Sequence, residues 1–268
     1  MSSPADSSRP DGRTLTYGEA VFEATRSEMA RDPKVFVMGQ GVDDARGMFG
    51  TTLGLHKEFG AERNFDVPLA EDAMTGIGIG AALMGMRPIQ VHQRMDFALL
   101  CMNQLVNMAA KMSYMFSGAH RVPLVVRAII GRSWGQGAQH SQAFHSYFMH
   151  IPGLRVVAPT TPHDAKGCLI AAIRDDNPVI MIEHRMLHNV RGVVPEESYE
   201  IPYGKARILS PGTRSAEHRH SVRFLAIRIL RVSGAFTSAT TAGKPSRLPV
   251  RRSQAVGGCR SSLRRLQR

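Results

Sequence analysis

Cysteine is scarce in this chain of 268 residues, with only three copies. Cys101, Cys168 and Cys259 lie far apart, which excludes the paired spacing of a zinc site or a disulfide framework. Cys101 and Cys168 fall in apolar, helix-like stretches, where a cysteine usually forms a buried thiol. We therefore expect a reducing, cytoplasmic location.

Long hydrophobic runs are also missing. No apolar stretch reaches the roughly 18 residues that a membrane-spanning helix requires, so we expect no membrane partner. Residues 1–13 are rich in Ser, Pro and Asp and lack the apolar core of a signal peptide. This composition predicts a disordered lead-in.

Acidic residues nearly disappear from residues 213–268, which contain Glu217 but 13 of the 34 Lys and Arg residues. Because the whole chain has 22 acidic residues, the first 212 residues are formally neutral and the net charge of +12 belongs to this tail. A basic cluster allows an alternative function, a non-catalytic protein that binds nucleic acid. The tail has only Phe224 and Phe236 as aromatic residues, which gives no stacking pattern, so we expect a low-order tail without a nucleic-acid partner.

Strand-like and helix-like segments alternate through the rest of the chain. Short apolar segments predict strands at residues 35–38, 88–92, 123–130, 154–158 and 178–182. The intervening segments predict helices at residues 17–31, 52–59, 71–86, 96–116, 141–149 and 162–174. This alternation indicates an α/β fold with a mostly parallel sheet flanked by helices on both faces. We expect this domain at residues 14–190 and a linker at residues 191–212.

Two glycine-rich motifs suggest other activities. Gly131-Arg-Ser-Trp-Gly135 has the spacing of a nucleophile elbow, which makes Ser133 a candidate nucleophile of a serine hydrolase. The glycines that follow interrupt the helix that this motif requires, so a plain loop is the favoured interpretation. Gly76, Gly78 and Gly80 fit a dinucleotide fingerprint, but no hydrophobic strand precedes them, which favours a closely packed helix instead.

Three histidines deserve comparison with a zinc site. His140, His145 and His150 are spaced five apart, and on a helix each is rotated by about 140° from the previous one. They cannot therefore share one face and bind one metal ion. His140 alone lies between a glycine-rich loop and a predicted helix start, where functional groups gather.

The order of the sequence motifs over residues 14–213 resembles one family. The motifs are Gly39-Gln-Gly-Val42, Phe65-Asp-Val-Pro-Leu-Ala-Glu71, Gly85-Met-Arg-Pro-Ile89, Gln104-Leu-Val-Asn107, Gly135-Gln-Gly-Ala-Gln-His-Ser-Gln142, Met149-His-Ile-Pro-Gly-Leu154, Val157-Ala-Pro-Thr-Thr-Pro162 and Ala172-Ile-Arg-Asp-Asp-Asn-Pro178. They are similar to the beta subunits of pyruvate and branched-chain 2-oxo acid dehydrogenases. The resemblance implies a transketolase-type pyrimidine-binding domain that holds thiamine diphosphate together with an alpha subunit, which supplies the magnesium and diphosphate site.

The resemblance also implies roles for four residues near the cofactor. Glu71 matches the glutamate that bonds the aminopyrimidine nitrogen, although a helix start alone would also favour an acid there. Phe97 matches an aromatic residue that packs on the pyrimidine, and His140 matches a histidine that transfers protons or assists acyl transfer to lipoyl. Gln40 lies where family members of known role carry a cofactor-proximal Glu.

A structural potassium site is implied as well, because backbone carbonyls and side-chain oxygens suit a hard cation. The matching residues are Leu124, Ala172, Ile173, Asp175 and Asn177. The implied assembly is a heterotetramer of two alpha and two beta subunits that transfers its acyl group to a lipoyl acyltransferase.

Departures from the family pattern limit what the resemblance implies. Gln40, Asp72 and Met95 differ from the usual residues, so the 2-oxo acid is left open between pyruvate and others. The resemblance ends near Thr213, and the Arg- and Ser-rich composition beyond it is typical of an out-of-frame translation. We therefore expect a truncated or frameshifted chain after about residue 212, with doubtful activity.

Overall fold

The computed structural model describes residues 13–132 and 135–204. Its strands are β1 (Arg13–Thr16), β2 (Val35–Gly39), β3 (Asn64–Phe65), β4 (Arg87–His92), β5 (Val125–Ile130), β6 (Arg155–Val157), β7 (Val179–His184) and β8 (Arg191–Val194). Its α-helices are α1 (Tyr17–Arg31), α2 (Leu55–Phe59), α3 (Glu71–Leu83), α4 (Ala110–Met115), α5 (His145–Met149) and α6 (Pro162–Arg174). Residues 1–12 of the lead-in predicted at residues 1–13, and the predicted tail at residues 213–268, lie outside this described part, whereas Arg13 begins β1.

A parallel sheet forms the centre of the domain. Its strand order is β3-β2-β4-β5-β7-β6, and each of its neighbouring pairs is parallel. The strands β2 and β5 are buried along their whole length, because helices cover both faces. The predicted α/β fold with a mostly parallel sheet is confirmed.

Helices α1 and α6 pack together on one face of the sheet. Thr16 caps α1 in a capping box with Glu19, and Thr161 caps α6 by accepting a hydrogen bond from the Asp164 amide. Their apolar sides, with Val21, Leu169 and neighbours, join strand residues in one buried cluster. Helices α1 and α6 therefore cover one face of the sheet, and a second buried cluster lies on the opposite face.

Helix α3 and the segment 95–115 cover the second face. The glycine-rich motif with Gly76, Gly78 and Gly80 lies inside α3 rather than in a loop. Gly78 allows this helix to pack closely against the side chains of Leu124 and Met38. The dinucleotide alternative is therefore wrong, and the closely packed helix is confirmed.

The prediction of one long α-helix at residues 96–116 is wrong, because the hydrogen-bonding pattern changes along this segment. The chain forms a 3-10 segment at Met95–Cys101, a π segment at Gln104–Ala109 and then α4. Asp96 does not cap a helix, since its carboxylate accepts hydrogen bonds from the Gln142 amide and side chain at 3.2 and 2.8 Å. Tertiary contacts of this kind override the local helical pattern.

The region predicted as a linker begins with a strand. Residues of β8 pair antiparallel with β1, and Tyr17 donates its backbone N–H to the Val190 carbonyl at 2.9 Å. This two-stranded sheet is short and partly exposed, which explains why neither strand shows a clear apolar pattern. No helix among the described residues is long and apolar enough to cross a membrane.

Candidate active site

A cavity of about 320 Å³ opens where β2 and β4 end, with the start of α3 beside it. The carboxyl ends of parallel strands commonly hold ligands, because loops and helix N-termini meet there. The lining residues are Gly39, Gln40, Phe49, Val67, Pro68, Leu69, Glu71, Met74, Gln90, Val91, His92, Gln93, Arg94, Phe97, Gln136 and His140.

The structure brings together the four residues that were predicted near the cofactor. Glu71, Phe97, His140 and Gln40 all line this cavity, although they are up to 100 positions apart in sequence. Glu71 is the first residue of α3 and is half-buried, so its carboxylate lies where the helix dipole favours a negative charge.

Phe97 and His140 are two aromatic rings that line the cavity. Their rings meet edge to face, with centroids 5.2 Å apart and an angle of 74° between planes. Phe97 is 38% exposed, which leaves ring surface available to a flat heterocycle. The backbone carbonyl of Gln40 accepts a hydrogen bond from the Gln93 side chain at 3.0 Å, which joins two residues that line the cavity.

Arg94 supplies a buried positive charge that the sequence interpretation did not include. It is 2% exposed, donates to the Gly131 carbonyl at 2.9 Å and bonds Gln136. Burial lowers the pKa of the Arg94 guanidinium, and Asp96 opposes that shift. Arg94 and Arg185 both lie against the ring of Phe49, 6.0 and 4.5 Å from its centroid, and of these two arginines Arg94 lines the cavity.

Gln90 and His92 are two further polar residues on the cavity wall, both more than 90% buried. Gln90 donates to the Thr75 hydroxyl at 2.8 Å, and that hydroxyl donates to the Glu71 carbonyl at 2.6 Å. Burial lowers the pKa of His92 to about 4, so its imidazole is neutral. A sequence signal existed, because polar residues at alternate positions of a buried strand contradict its apolar pattern.

The lining residues fit an aminopyrimidine. A half-buried carboxylate, a partly exposed aromatic ring and apolar contacts from Val67, Leu69 and Met74 match a flat ring with polar nitrogens at its edge. Within residues 13–132 and 135–204, no cluster of three His, Cys, Asp or Glu side chains could hold a metal ion.

The predicted potassium residues lie away from this cavity, at the end of α6 and the start of β5. The Ile173 and Asp175 carbonyls accept hydrogen bonds from Arg87 at 3.0 and 3.1 Å, and the Leu124 carbonyl accepts one from the Val179 amide at 2.9 Å. The structure thus shows oxygens that attract a cation, with a guanidinium bound to two of them. The potassium site stays a prediction.

The three histidines that are spaced five apart lie on different elements. His140 ends a 3-10 turn at Ala138–His140, whereas His145 begins α5 and His150 follows it. Only His140 of these three lines the cavity. Ser133, the candidate hydrolase nucleophile, lies outside the described residues, so that alternative is untested by the geometry.

One protein family matches the part of the chain that contains both the parallel sheet and the cavity. The transketolase pyrimidine-binding domain matches residues 13–190, which include every strand of the parallel sheet and every residue that lines the cavity. The chain belongs to this family. The pyrimidine-binding domain therefore carries the cavity that we describe.

Similar proteins are named as beta subunits of oxidoreductases. The chain is 45% identical over 210 residues to the acetoin:2,6-dichlorophenolindophenol oxidoreductase subunit beta of Cupriavidus necator, covering 75% of this chain and 62% of the relative. It is 43% identical to the 2-oxoisovalerate dehydrogenase subunit beta of Bacillus subtilis, covering 74% and 61%. It is 40% identical to the mitochondrial pyruvate dehydrogenase E1 component subunit beta of Rattus norvegicus, covering 80% and 61%. The chain thus spans about three fifths of these relatives.

A solved structure shows the same fold for this pyrimidine-binding domain. It is a split gene transketolase in an inactive beta4 tetramer, with a TM-score of 0.52 and 18% sequence identity. The similarity covers 64% of this chain and 52% of the other.

Proposed function

We propose that this chain is the beta subunit of a thiamine-diphosphate-dependent 2-oxo acid dehydrogenase, of the pyruvate dehydrogenase type. The observation that carries the proposal is the convergence of Glu71, Phe97 and His140 on one cavity of a pyrimidine-binding domain. In this function an alpha subunit completes the site with magnesium and diphosphate ligands. A heterotetramer of two alpha and two beta subunits then passes its acyl group to a lipoyl acyltransferase.

Each of the three side chains has a defined task. The Glu71 carboxyl shares a proton with the aminopyrimidine nitrogen and so adjusts the basicity of the ring. Phe97 holds the ring by its exposed face, and His140 donates or accepts a proton beside the reacting substrate. When bound, thiamine diphosphate supplies the nucleophilic carbon and the electron sink for decarboxylation.

A second candidate substrate comes from the acetoin-oxidising relative. Acetoin is neutral, whereas a 2-oxo acid carries a carboxylate. The buried guanidinium of Arg94 on the cavity wall favours the anion, because a charge in a region of low dielectric attracts its counterion strongly. We therefore favour a 2-oxo acid and keep acetoin as the competing substrate in the same assay.

Potassium and location are further parts of the proposal. A potassium ion at Leu124, Ala172, Ile173, Asp175 and Asn177 would brace the junction between α6 and β7. A cytoplasmic location is supported by Cys101 and Cys168, which are both buried and free.

The test is decarboxylation by this chain co-expressed with an alpha subunit. Glu71→Ala and Glu71→Gln should each lower turnover of a 2-oxo acid by roughly a hundredfold or more, because Gln keeps the size but cannot share the proton. Asp72→Asn is the matched control, since Asp72 is an exposed acid in the same helical turn but does not line the cavity. Turnover by Glu71→Ala within threefold of the parent would contradict the proposal, as would faster turnover of acetoin than of any 2-oxo acid.

A further inference from the structure

Helix α3 begins at Glu71 without a side-chain cap. Its N-cap residue is Ala70, which has no polar side chain, whereas Thr16 and Thr161 cap α1 and α6. The first turn of an uncapped helix opens more readily, because its amide groups lack the partner that a cap provides. Since Glu71 lies in this first turn, its carboxyl keeps a fixed position in the cavity only if another contact holds its backbone.

A chain of two hydrogen bonds ties this first turn to the sheet. The Thr75 hydroxyl donates to the Glu71 backbone carbonyl at 2.6 Å, and the Gln90 side-chain amide donates to that hydroxyl at 2.8 Å. The direction of both bonds follows from chemistry, because a carbonyl only accepts and the hydroxyl has one proton to give. Gln90 pairs in register with Met38 and Val126 on the two neighbouring strands, so the chain of bonds starts in the buried centre of the sheet.

The side chain of Gln90 is unfavourable for the stability of the fold. It is 3% exposed, and among the described residues no donor reaches its enclosed side-chain oxygen. A buried acceptor without a partner destabilises a protein, whereas an apolar side chain of the same shape avoids that penalty. Stability alone therefore favours an apolar residue at this position. The use of an amide is explained by its donor, which holds the start of α3 at the cavity.

We propose that Gln90 is a positioning residue, which fixes the backbone of Glu71 at the cavity through the Thr75 hydroxyl. This inference rests on the proposed function, in which the Glu71 carboxyl shares a proton with the aminopyrimidine. Proton transfer depends steeply on how the two groups are placed, and this carboxyl extends from the backbone that Gln90 and Thr75 hold. Gln90 and Glu71 line the same cavity, and the fully buried Thr75 joins them.

The first test measures amide hydrogen exchange of the whole chain by mass spectrometry, without cofactor. Gln90→Met keeps the length of the side chain and removes its donor, so exchange in the first turn of α3 should become about three- to tenfold faster. Exchange in α1 and α6, which cover the other face of the sheet, should stay unchanged.

The stability of the same variant in urea decides between positioning and a merely structural role. Gln90→Met should be as stable as the parent or more stable, because the substitution also removes the enclosed oxygen. Unchanged exchange at the start of α3 would overturn the proposal. A loss of stability with faster exchange in every helix would overturn it too, since Gln90 would then support the whole fold.

The second test measures turnover of a 2-oxo acid by the complex with a co-expressed alpha subunit. Gln90→Met and Thr75→Val should each lower kcat about three- to tenfold. The KM for the 2-oxo acid should change little, because the placement of Glu71 acts on the cofactor rather than on substrate binding. The double variant should lose little more than either single variant, because both substitutions break the same chain of hydrogen bonds.

Two further variants serve as controls for the hydroxyl. Thr75→Ser keeps this group and should retain most of the parent turnover. Thr25→Val removes a buried hydroxyl that makes the same kind of bond within α1, to the Val21 carbonyl at 3.0 Å, but does not line the cavity. It should leave kcat unchanged.

The outcomes separate this inference from the proposed function. Additive losses in the double variant, or equal losses with Thr75→Ser and Thr75→Val, overturn the positioning role, as does a higher KM with an unchanged kcat. A parent complex that turns over no 2-oxo acid contradicts the proposed function. Hydrogen exchange and stability of Gln90→Met in the chain alone then decide whether Gln90 holds the start of α3.

Discussion

Arg127 and Glu183 face each other on β5 and β7 with no exposed side-chain surface. Arg127 donates to Glu183 at 2.5 and 3.0 Å and to the Thr51 hydroxyl at 2.8 Å. Burial opposes ionisation of Glu183, but Arg127 and His188 outweigh it and bring its pKa to about 2. Each residue of this pair requires the other, because either charge left alone in the core is strongly destabilising.

The first residue-scale prediction follows from this pair. Glu183→Gln leaves Arg127 charged and unneutralised, so we expect a loss of about 3–5 kcal/mol in the free energy of unfolding, measured in urea at pH 7. Glu62→Gln, at an exposed acid, should change it little. An equal stability of Glu183→Gln and the parent would contradict this assignment.

The pH dependence of the same pair has a definite sign. The folded-state pKa of Glu183 lies below the ordinary value of 4.5, so its contribution is complete above that value and is lost as pH falls toward about 2. We expect the parent to lose stability in this window more steeply than Glu183→Gln. Parallel acid-unfolding curves would show that the carboxylate is not stabilised by folding.

At the scale of elements, the loop before β6 docks on the start of α4. Gly153 has φ of 99°, and a Cβ there would lie 1.9 Å from the Ala110 carbonyl oxygen. The neighbouring Pro152 carbonyl accepts a hydrogen bond from Lys111 at 2.8 Å, which fixes the same approach. The glycine in the His-Ile-Pro-Gly-Leu motif is therefore required by backbone packing.

Gly153→Ala should destabilise the domain by about 2–5 kcal/mol, because a strained backbone angle adds to the clash. Gly80→Ala is the control, since a Cβ at this position in α3 meets nothing within 4 Å. That change should raise stability by up to about 1 kcal/mol through helix propensity. Thermal unfolding of both variants checks the pair, and a stable Gly153→Ala would refute the close approach.

The potassium prediction also belongs to this scale. If the ion binds at the end of α6, replacing sodium by potassium at equal ionic strength should stabilise the domain by about 1–3 kcal/mol. Asp175→Asn should remove the difference, because that carboxylate, already bonded to the Asn177 amide and side chain at 2.9 Å, is part of the site. Identical melting curves in both salts would exclude a structural potassium ion.

The central strands and α1, α3 and α6 were predictable because their apolar residues follow local patterns, and α1 and α6 also carry side-chain caps. β1 and β8 were not, since both are short and partly exposed and pair only with each other. The 96–116 segment was misassigned because Asp96 bonds Gln142 rather than its own helix.

In the site, Glu71 looked like an ordinary helix-start acid, and only the family resemblance identified it. His92 and Arg94 were missed because the sequence does not show that these two side chains line the cavity.

For the whole molecule, the described part contains the pyrimidine-binding domain, which is one half of the cofactor site that we propose. Glu71 and Phe97 can hold a pyrimidine, but the sequence contains no Gly-Asp-Gly motif for a magnesium-bound diphosphate. Large apolar side chains also remain exposed on the helical segments that cover the second face of the sheet, including Met84 at the C-terminal end of α3, at 85%, and Leu100 at 61%. Such a surface is typical of a subunit interface.

We therefore predict that the chain alone binds thiamine diphosphate weakly or not at all, whereas the complex with an alpha subunit binds it tightly. Calorimetry with magnesium, with and without that subunit, measures the difference. Glu replacing Met84 and Leu100 together should abolish the gain, because charges in the buried centre of an interface are strongly disfavoured. The same change should leave the circular dichroism of the isolated chain unaltered, since both side chains are exposed. Tight binding by the chain alone would contradict the half-site, and tight binding by the substituted complex would place the alpha subunit on another surface.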